Sequence, residues 1–216
     1  MVRWATFDCY GTLIDWDGGI RTELARVFGE DEAAAQLERY HQLEPELERD
    51  GSRSYREVMT EAMRALGAPP GSEHGLAESL PSWRPFPEVR GALEELRRRG
   101  WRLGVLSNTD DDYIAASQVQ IGVSFDEVVV AQELGSYKPA HRHWEEFFAR
   151  THAPREGHVH VAASLYHDVA PCNELGLRSV WINRTGASAD GTLPTRELAD
   201  LLALPETLDE LVLVSA

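Results

Sequence analysis

Four stretches of this chain place reactive side chains just after a short apolar run. Asp8, Tyr10, Gly11 and Thr12 follow the run at 3–7, and Ser107 and Asn108 follow the run at 102–106. Lys138-Pro139 lies between the run at 127–130 and the next amphipathic segment. Ala163, Ser164, Tyr166, His167 and Asp168 follow the run at 158–162. The set holds two carboxylates, a lysine, hydroxyls and an amide. A carboxylate can act as a nucleophile, a nearby ammonium holds it ionised, and hydroxyl and amide donors stabilise an anion. Each piece alone has an ordinary structural explanation. Asp-x-x-Gly-Thr makes a capped turn, Ser-Asn-Thr makes a helix N-cap, and Asp168 can open a helix. Their joint occurrence at four run ends points to one site. Lys138 adds weight, because it is the single lysine among 21 basic residues. A compact ammonium does what a guanidinium cannot.

The elements that would position these residues follow from periodicity. The runs at 3–7, 102–106, 127–130, 158–162 and 179–183 read as buried strands. Helical spacing is expected at 87–99, 111–119, 141–151 and 168–175, with Gly176 closing the last of these. Strand–helix alternation implies right-handed βαβ units and a mostly parallel, Rossmann-like sheet flanked by helices, an α/β fold. In such sheets ligands sit beyond the carboxyl ends of the strands, where all four loops would open. From 16 to 66 the spacing is helical throughout, and a Pro/Gly-rich stretch with a short helix follows at 67–87. Residues 16–80 therefore read as an inserted α-helical cap, and 1–15 with 81–216 as the core. A last helix at 195–202 and the 207–213 segment would pack on the sheet edge.

Composition narrows the partners. The chain has 216 residues and 21 basic against 36 acidic side chains, a formal charge of −15. That surface repels phosphate backbones and anionic lipid, which argues against nucleic acid and membrane as partners. An anionic substrate would need a local positive pocket. Cys9 and Cys172 are too few for a disulfide framework. The N-terminus lacks the apolar region of a signal peptide, and no run is long enough to span a membrane, so a cytoplasmic protein is expected.

The motifs Phe7-Asp8-Cys9-Tyr10-Gly11-Thr12-Leu13, Leu106-Ser107-Asn108, Lys138-Pro139 and Ser164 to Asp168 resemble the four motifs of the haloacid dehalogenase superfamily. Trp181-Ile182-Asn183-Arg184 at the last strand resembles it too. Most members are Mg²⁺-dependent phosphatases and a minority are dehalogenases. The phosphatases carry a second aspartate two residues after the nucleophile, where this chain has Tyr10. They carry Gly-Asp at the fourth motif, where this chain has Ala162-Ala163. Both departures make the chain similar to the 2-haloacid dehalogenase branch, which needs no metal or other cofactor.

That resemblance implies roles. Asp8 would displace halide from the carbon of a small 2-haloalkanoic acid, leaving an ester. Lys138 would hold Asp8 ionised, Thr12 would brace the nucleophile loop, and Asp168 would orient or deprotonate the hydrolytic water. Ser107 would hold the substrate carboxylate. Arg39 on the cap resembles the arginine that cradles departing halide, aided by Asn108. Tyr10 and Trp144 are candidate pocket walls, Trp144 equally a core residue. The dehalogenases carry polar Ser and Asn groups where this chain has Ala163 and Leu165, and His167 could take over part of their task. A magnesium phosphatase and a catalytically degenerate small-acid binding protein remain as alternatives. Homodimers are common among proteins of this kind. Cys9 reads as a buried hydrophobe, His158 and His160 lack a spaced third zinc ligand, and Asp110-Asp111-Asp112 suits a helix start.

Overall fold

A computed structural model describes residues 2–49 and 51–213. Its centre is a six-stranded sheet in the order β3-β2-β1-β4-β5-β6. The strands are β1 (Arg3–Phe7), β2 (Trp101–Ser107), β3 (Glu127–Val130), β4 (His158–Ala162), β5 (Arg178–Ile182) and β6 (Arg196–Leu198). Every pairing is parallel. Because both faces are covered, β1 and β4 are buried along their whole length rather than alternating.

The helices are α1 (Trp16–Phe28), α2 (Glu30–Glu48), α3 (Tyr55–Leu66), α4 (Gly75–Ser79), α5 (Val89–Arg98), α6 (Asp111–Ile121), α7 (Ala131–Leu134), α8 (Arg142–Thr151), α9 (Ala170–Glu174) and α10 (Leu204–Leu211). In α5, Val89, Ala92, Leu93 and Leu96 make the buried stripe and the arginines at 90, 97 and 98 face out. Helix α3 buries Tyr55, Val58, Met59, Ala62, Met63 and Leu66 on the same period. A capping box of Ser54 and Glu57 starts it, and Gly67 at φ 87° ends it in the left-handed conformation that glycine adopts without penalty.

Helices α1 to α4 are inserted between β1 and α5, over the carboxyl end of the sheet. The chain crosses between the two parts twice, and the crossings bond to each other. Asp15 N–H donates to Arg84 O, and Phe86 N–H donates to Leu13 O. A third tie comes from Asp110. Its carboxylate accepts the N–H groups of Tyr55 and Arg56 at 2.8 and 3.0 Å, so it caps α3 of the insertion and makes no side-chain cap on its own helix, α6.

The C-terminal part departs from expectation. Residues 196–198 form the edge strand β6, not a helix, and α10 begins at Leu204. The helix propensity of Thr-Arg-Glu-Leu-Ala is overridden by the open edge of β5, which pairs with β6 in register from Val180–Arg196 to Ile182–Leu198. Asn183 N–H donates to Leu198 O and closes the ladder. The expected helix at 168–175 is also shorter. A π-turn, Leu165–Val169, precedes α9 and carries Asp168 inward. Among the described residues no helix is long and apolar enough to cross a membrane.

Candidate active site

Asp8 sits where β1 ends. Beyond it the chain turns through Gly11, whose φ of +85° favours glycine, and Cys9 O accepts the N–H groups of Leu13 and Ile14. This turn points Thr12 back at Asp8. Thr12 Oγ1 donates to Asp8 Oδ2 at 2.8 Å and accepts from Ala163 N–H at 2.9 Å. The threonine therefore fixes Asp8 against the loop after β4.

Lys138 reaches the same point from the loop after β3 and is 2 % exposed. Its ammonium donates to Asp8 Oδ1 at 2.9 Å, to Asp168 Oδ1 at 2.6 Å and to Leu106 O at 2.8 Å. Three acceptors meet three N–H donors. Burial pushes the Lys138 ammonium toward neutrality, but the Asp168 and Asp8 charges outweigh it and raise its pKa. Burial would likewise raise the Asp168 carboxyl, yet Lys138 and His160 hold it well below the usual carboxylate range. Asp168 Oδ2 is buried and has no partner.

Above this cluster lies a cavity of about 620 Å³, walled by the strand-end loops below and by α1, α2 and Tyr55 above. Tyr10 lines it as expected. Its ring stacks on Tyr55, and its hydroxyl bonds to Ser117 at 3.0 Å, so it offers no acid to the site. Ser107 also lines it, and its buried Oγ has no hydrogen-bond partner. His167 lines it too, bonded to Ser164.

One expected substrate contact is corrected. Arg39 lies exposed on the outer side of α2, where it donates to Gln36 Oε1. The inward stripe of α2 runs through Ala33, Tyr40, Glu44 and Glu48, and Arg39 is about 100° off it around the helix. Arg39→Ala should therefore leave kcat and KM within about twofold of the parent; steady-state kinetics checks this, and a tenfold rise in KM would return Arg39 to the site. Asn108 lines the cavity, but both ends of its amide are engaged. Oδ1 accepts Lys138 N–H at 2.7 Å, and Nδ2 donates to Lys138 O at 3.0 Å. Asn108 thus clamps the backbone of Lys138, and its Nδ2 also donates to Glu48 Oε2 at 3.3 Å on the cavity wall. Trp144 is core, edge-on to His160.

Several site residues escaped the sequence reading. Glu44 and Glu48 line the cavity from the cap. Glu44 Oε1 accepts the hydroxyls of Tyr40 and Tyr55, and burial raises its pKa to about 7. Burial raises Glu48 as well. Their spacing of four and eight residues from Tyr40 was the available signal. Arg184 after β5 also lines the cavity. It donates to Thr12 O and Glu88, lies 3.5 Å over the Phe86 ring, and has a buried Nε–H without a partner.

The donor set does not suit a magnesium ion. Asp8 spends one oxygen on Lys138 and the other on Thr12, Tyr10 turns away, and Ala163 supplies no carboxylate. Among the described residues, no group of three or more His, Cys, Asp or Glu side chains could hold a metal.

A parallel sheet carrying an aspartate at the end of its first strand, a buried lysine and an inserted helical cap defines a class of hydrolases. The chain belongs to the haloacid dehalogenase-like hydrolase family, whose pattern it matches over residues 2–162. It is 32 % identical to haloacetate dehalogenase H-2 of Moraxella sp. (strain B), over 85 % of this chain and 87 % of that one. It is 27 % identical to (S)-2-haloacid dehalogenase H-109 of Pseudomonas putida, over 90 % of this chain and 92 % of that one. Its fold matches L-2-haloacid dehalogenase from Xanthobacter autotrophicus with chloropropionic acid covalently bound. That match has a TM-score of 0.83 at 18 % identity, covering 96 % of this chain and 98 % of the other.

Proposed function

We propose that this protein hydrolyses the carbon–halogen bond of small 2-haloalkanoic acids through an ester on Asp8, without a metal. The observation that carries the reading is the buried ammonium of Lys138 bridging Asp8 and Asp168. It holds one carboxylate in place for attack and a second beside it for water. Near full-length similarity to haloacid dehalogenases supports the same chemistry.

The Asp8 carboxylate attacks the carbon bearing the halogen from the side opposite the halide. A C–O bond forms, the C–halogen bond breaks with inversion, and halide leaves with the bonding pair. Ser107 Oγ and the Arg184 guanidinium are the donors for the substrate carboxylate and halide, since Lys138 has no N–H to spare. Glu44 and Glu48 do not forbid an anion. Burial raises both, Glu44 to about 7, so the pair carries less negative charge into the cavity than two ordinary surface carboxylates would. Water then hydrolyses the ester with Asp168 as base, giving a 2-hydroxy acid.

Chloride release from (S)-2-chloropropionate should proceed at the same rate, within about twofold, with and without EDTA. Release that chelator abolishes would overturn metal independence. Absence of release from chloropropionate and from monohaloacetates would overturn the dehalogenase reading.

A further inference from the structure

The inner side of Asp168 is held by side chains that the scheme above does not use. His160 on β4 places Nε2 2.9 Å from Asp168 Oδ1. Its Nδ1 lies 2.8 Å from Thr6 Oγ1 on β1, and that oxygen lies 2.8 Å from His158 Nε2. Thr6, His158, His160 and Asp168 are all fully buried.

One assignment of protons satisfies this chain. An ionised Asp168 only accepts, so His160 Nε2 carries a proton and donates. Nδ1 then accepts, and its donor is the Thr6 hydroxyl. The Thr6 oxygen in turn accepts from His158 Nε2–H, which leaves His158 Nδ1 bare. That nitrogen is the one with no partner in the structure. Burial keeps the His158 ring neutral, as the assignment requires.

The consequence falls on Asp168. Lys138 and His160 both donate to Oδ1, and Oδ2 receives nothing. The carboxylate cannot swap its oxygens without breaking two charge-assisted bonds, so Oδ2 stays free as a base. The loop above it supplies no polar side chain at Ala163 or Leu165 to direct a water.

We propose that His160 is the positioning residue for Asp168 in ester hydrolysis, its tautomer set by Thr6 and His158. The proposal rests on the Asp8-ester reading. In the step concerned, water oxygen bonds to Cγ of the Asp8 ester and its proton passes to Asp168 Oδ2. The tetrahedral adduct then breaks its bond to the substrate oxygen, which recovers that proton and leaves as the hydroxy acid. Asp8 remains as a carboxylic acid and releases its proton to solvent. His160 keeps its own proton throughout.

The test uses His160→Leu, which removes the donor, His160→Gln, which restores an N–H near Nε2, and Thr6→Val, which spares His160 but removes its orienting hydroxyl. With (S)-2-chloropropionate, His160→Leu should lower kcat roughly 10- to 100-fold. KM should fall with it, because slower ester hydrolysis lowers both, and kcat/KM should stay within about threefold. A chloride burst stoichiometric with enzyme should appear, and intact mass should show Asp8 esterified. His160→Gln should regain most of the loss, and Thr6→Val should show the same signature more weakly. Equal kcat in His160→Leu and parent would overturn the proposal. So would a fall in kcat/KM as large as that in kcat, with no ester, in both His160→Leu and Thr6→Val. A parent enzyme that neither releases chloride nor forms an ester would refute the dehalogenase reading itself and take this proposal with it.

Discussion

Replacing Asp8 with asparagine should abolish halide release, by a factor on the order of 10³ to 10⁶, while the protein stays folded. The amide has the shape of the carboxylate but no anionic oxygen to form the ester. The surroundings tolerate it. The carbonyl oxygen of the new amide can still accept from Lys138, and the Thr12 hydroxyl remains anchored by Ala163 N–H. Removing one of the two negative charges on Lys138 also leaves that ammonium paired with Asp168. Chloride release and intact mass after substrate treatment give the readout. Loss of both turnover and adduct is the expected result. Residual activity above about one per cent of the parent would mean that water attacks the substrate directly, with Asp8 only orienting it.

The positions of the reacting groups were legible because strand ends are legible. A buried parallel strand reads as a continuous apolar run, and the residue that breaks the run is the one at the mouth of the sheet. Asp8 and Ser107 come from that rule, Asp168 from the loop that follows the fourth run, and the lone lysine marked itself by composition. The insertion was readable for the same reason, since helical spacing from 16 to 66 interrupts the strand rhythm.

The cap's contribution was not legible, and α2 shows why. Its mean hydropathy is low, with acidic residues on more than one side, so periodicity alone does not say which face turns inward. The family resemblance favoured Arg39. Tertiary packing instead buries Tyr40, Glu44 and Glu48, and the tyrosine hydroxyls of 40 and 55 make burial of Glu44 tolerable. Asp110 was read as a helix-start residue, which it is by position, but the helix it caps is 54 residues away in sequence. Long-range hydrogen bonds carry no local signature. His158 and His160 gave a visible signal, alternation on one strand face, whose meaning depended on Thr6 from the neighbouring strand.

Lys138→Met should both stop catalysis and destabilise the fold, and the size of the second effect should depend on pH. Met is nearly isosteric, so packing is kept, but Asp8 and Asp168 lose the charge between them. Removing one partner of a buried ion pair costs about 3–5 kcal/mol. In the parent, Asp168 titrates well below its unfolded value. Its stabilisation is therefore present above the unfolded pKa, near 3.9, and fades as pH falls through the lower folded value. In the variant, burial and the neighbouring Asp8 charge act unopposed by Lys138, and the folded pKa of Asp168 should rise above the unfolded one. The penalty is then absent below about pH 4 and grows as pH rises through the folded pKa. The gap in denaturant unfolding between parent and variant should be widest at neutral pH, narrow toward pH 4 and close only below it, as Asp168 of the parent takes up its proton; a gap of constant size would show that lost packing, not lost charge, is responsible. Lys138→Arg should fold better than Lys138→Met yet remain severely impaired. The ammonium directs three N–H bonds from one atom to Asp8, Asp168 and Leu106 O, whereas a planar guanidinium spreads its donors over a fork and cannot bring three of them to that point. A chain that uses arginine at its 20 other basic positions keeps lysine at the one place where that difference decides the chemistry.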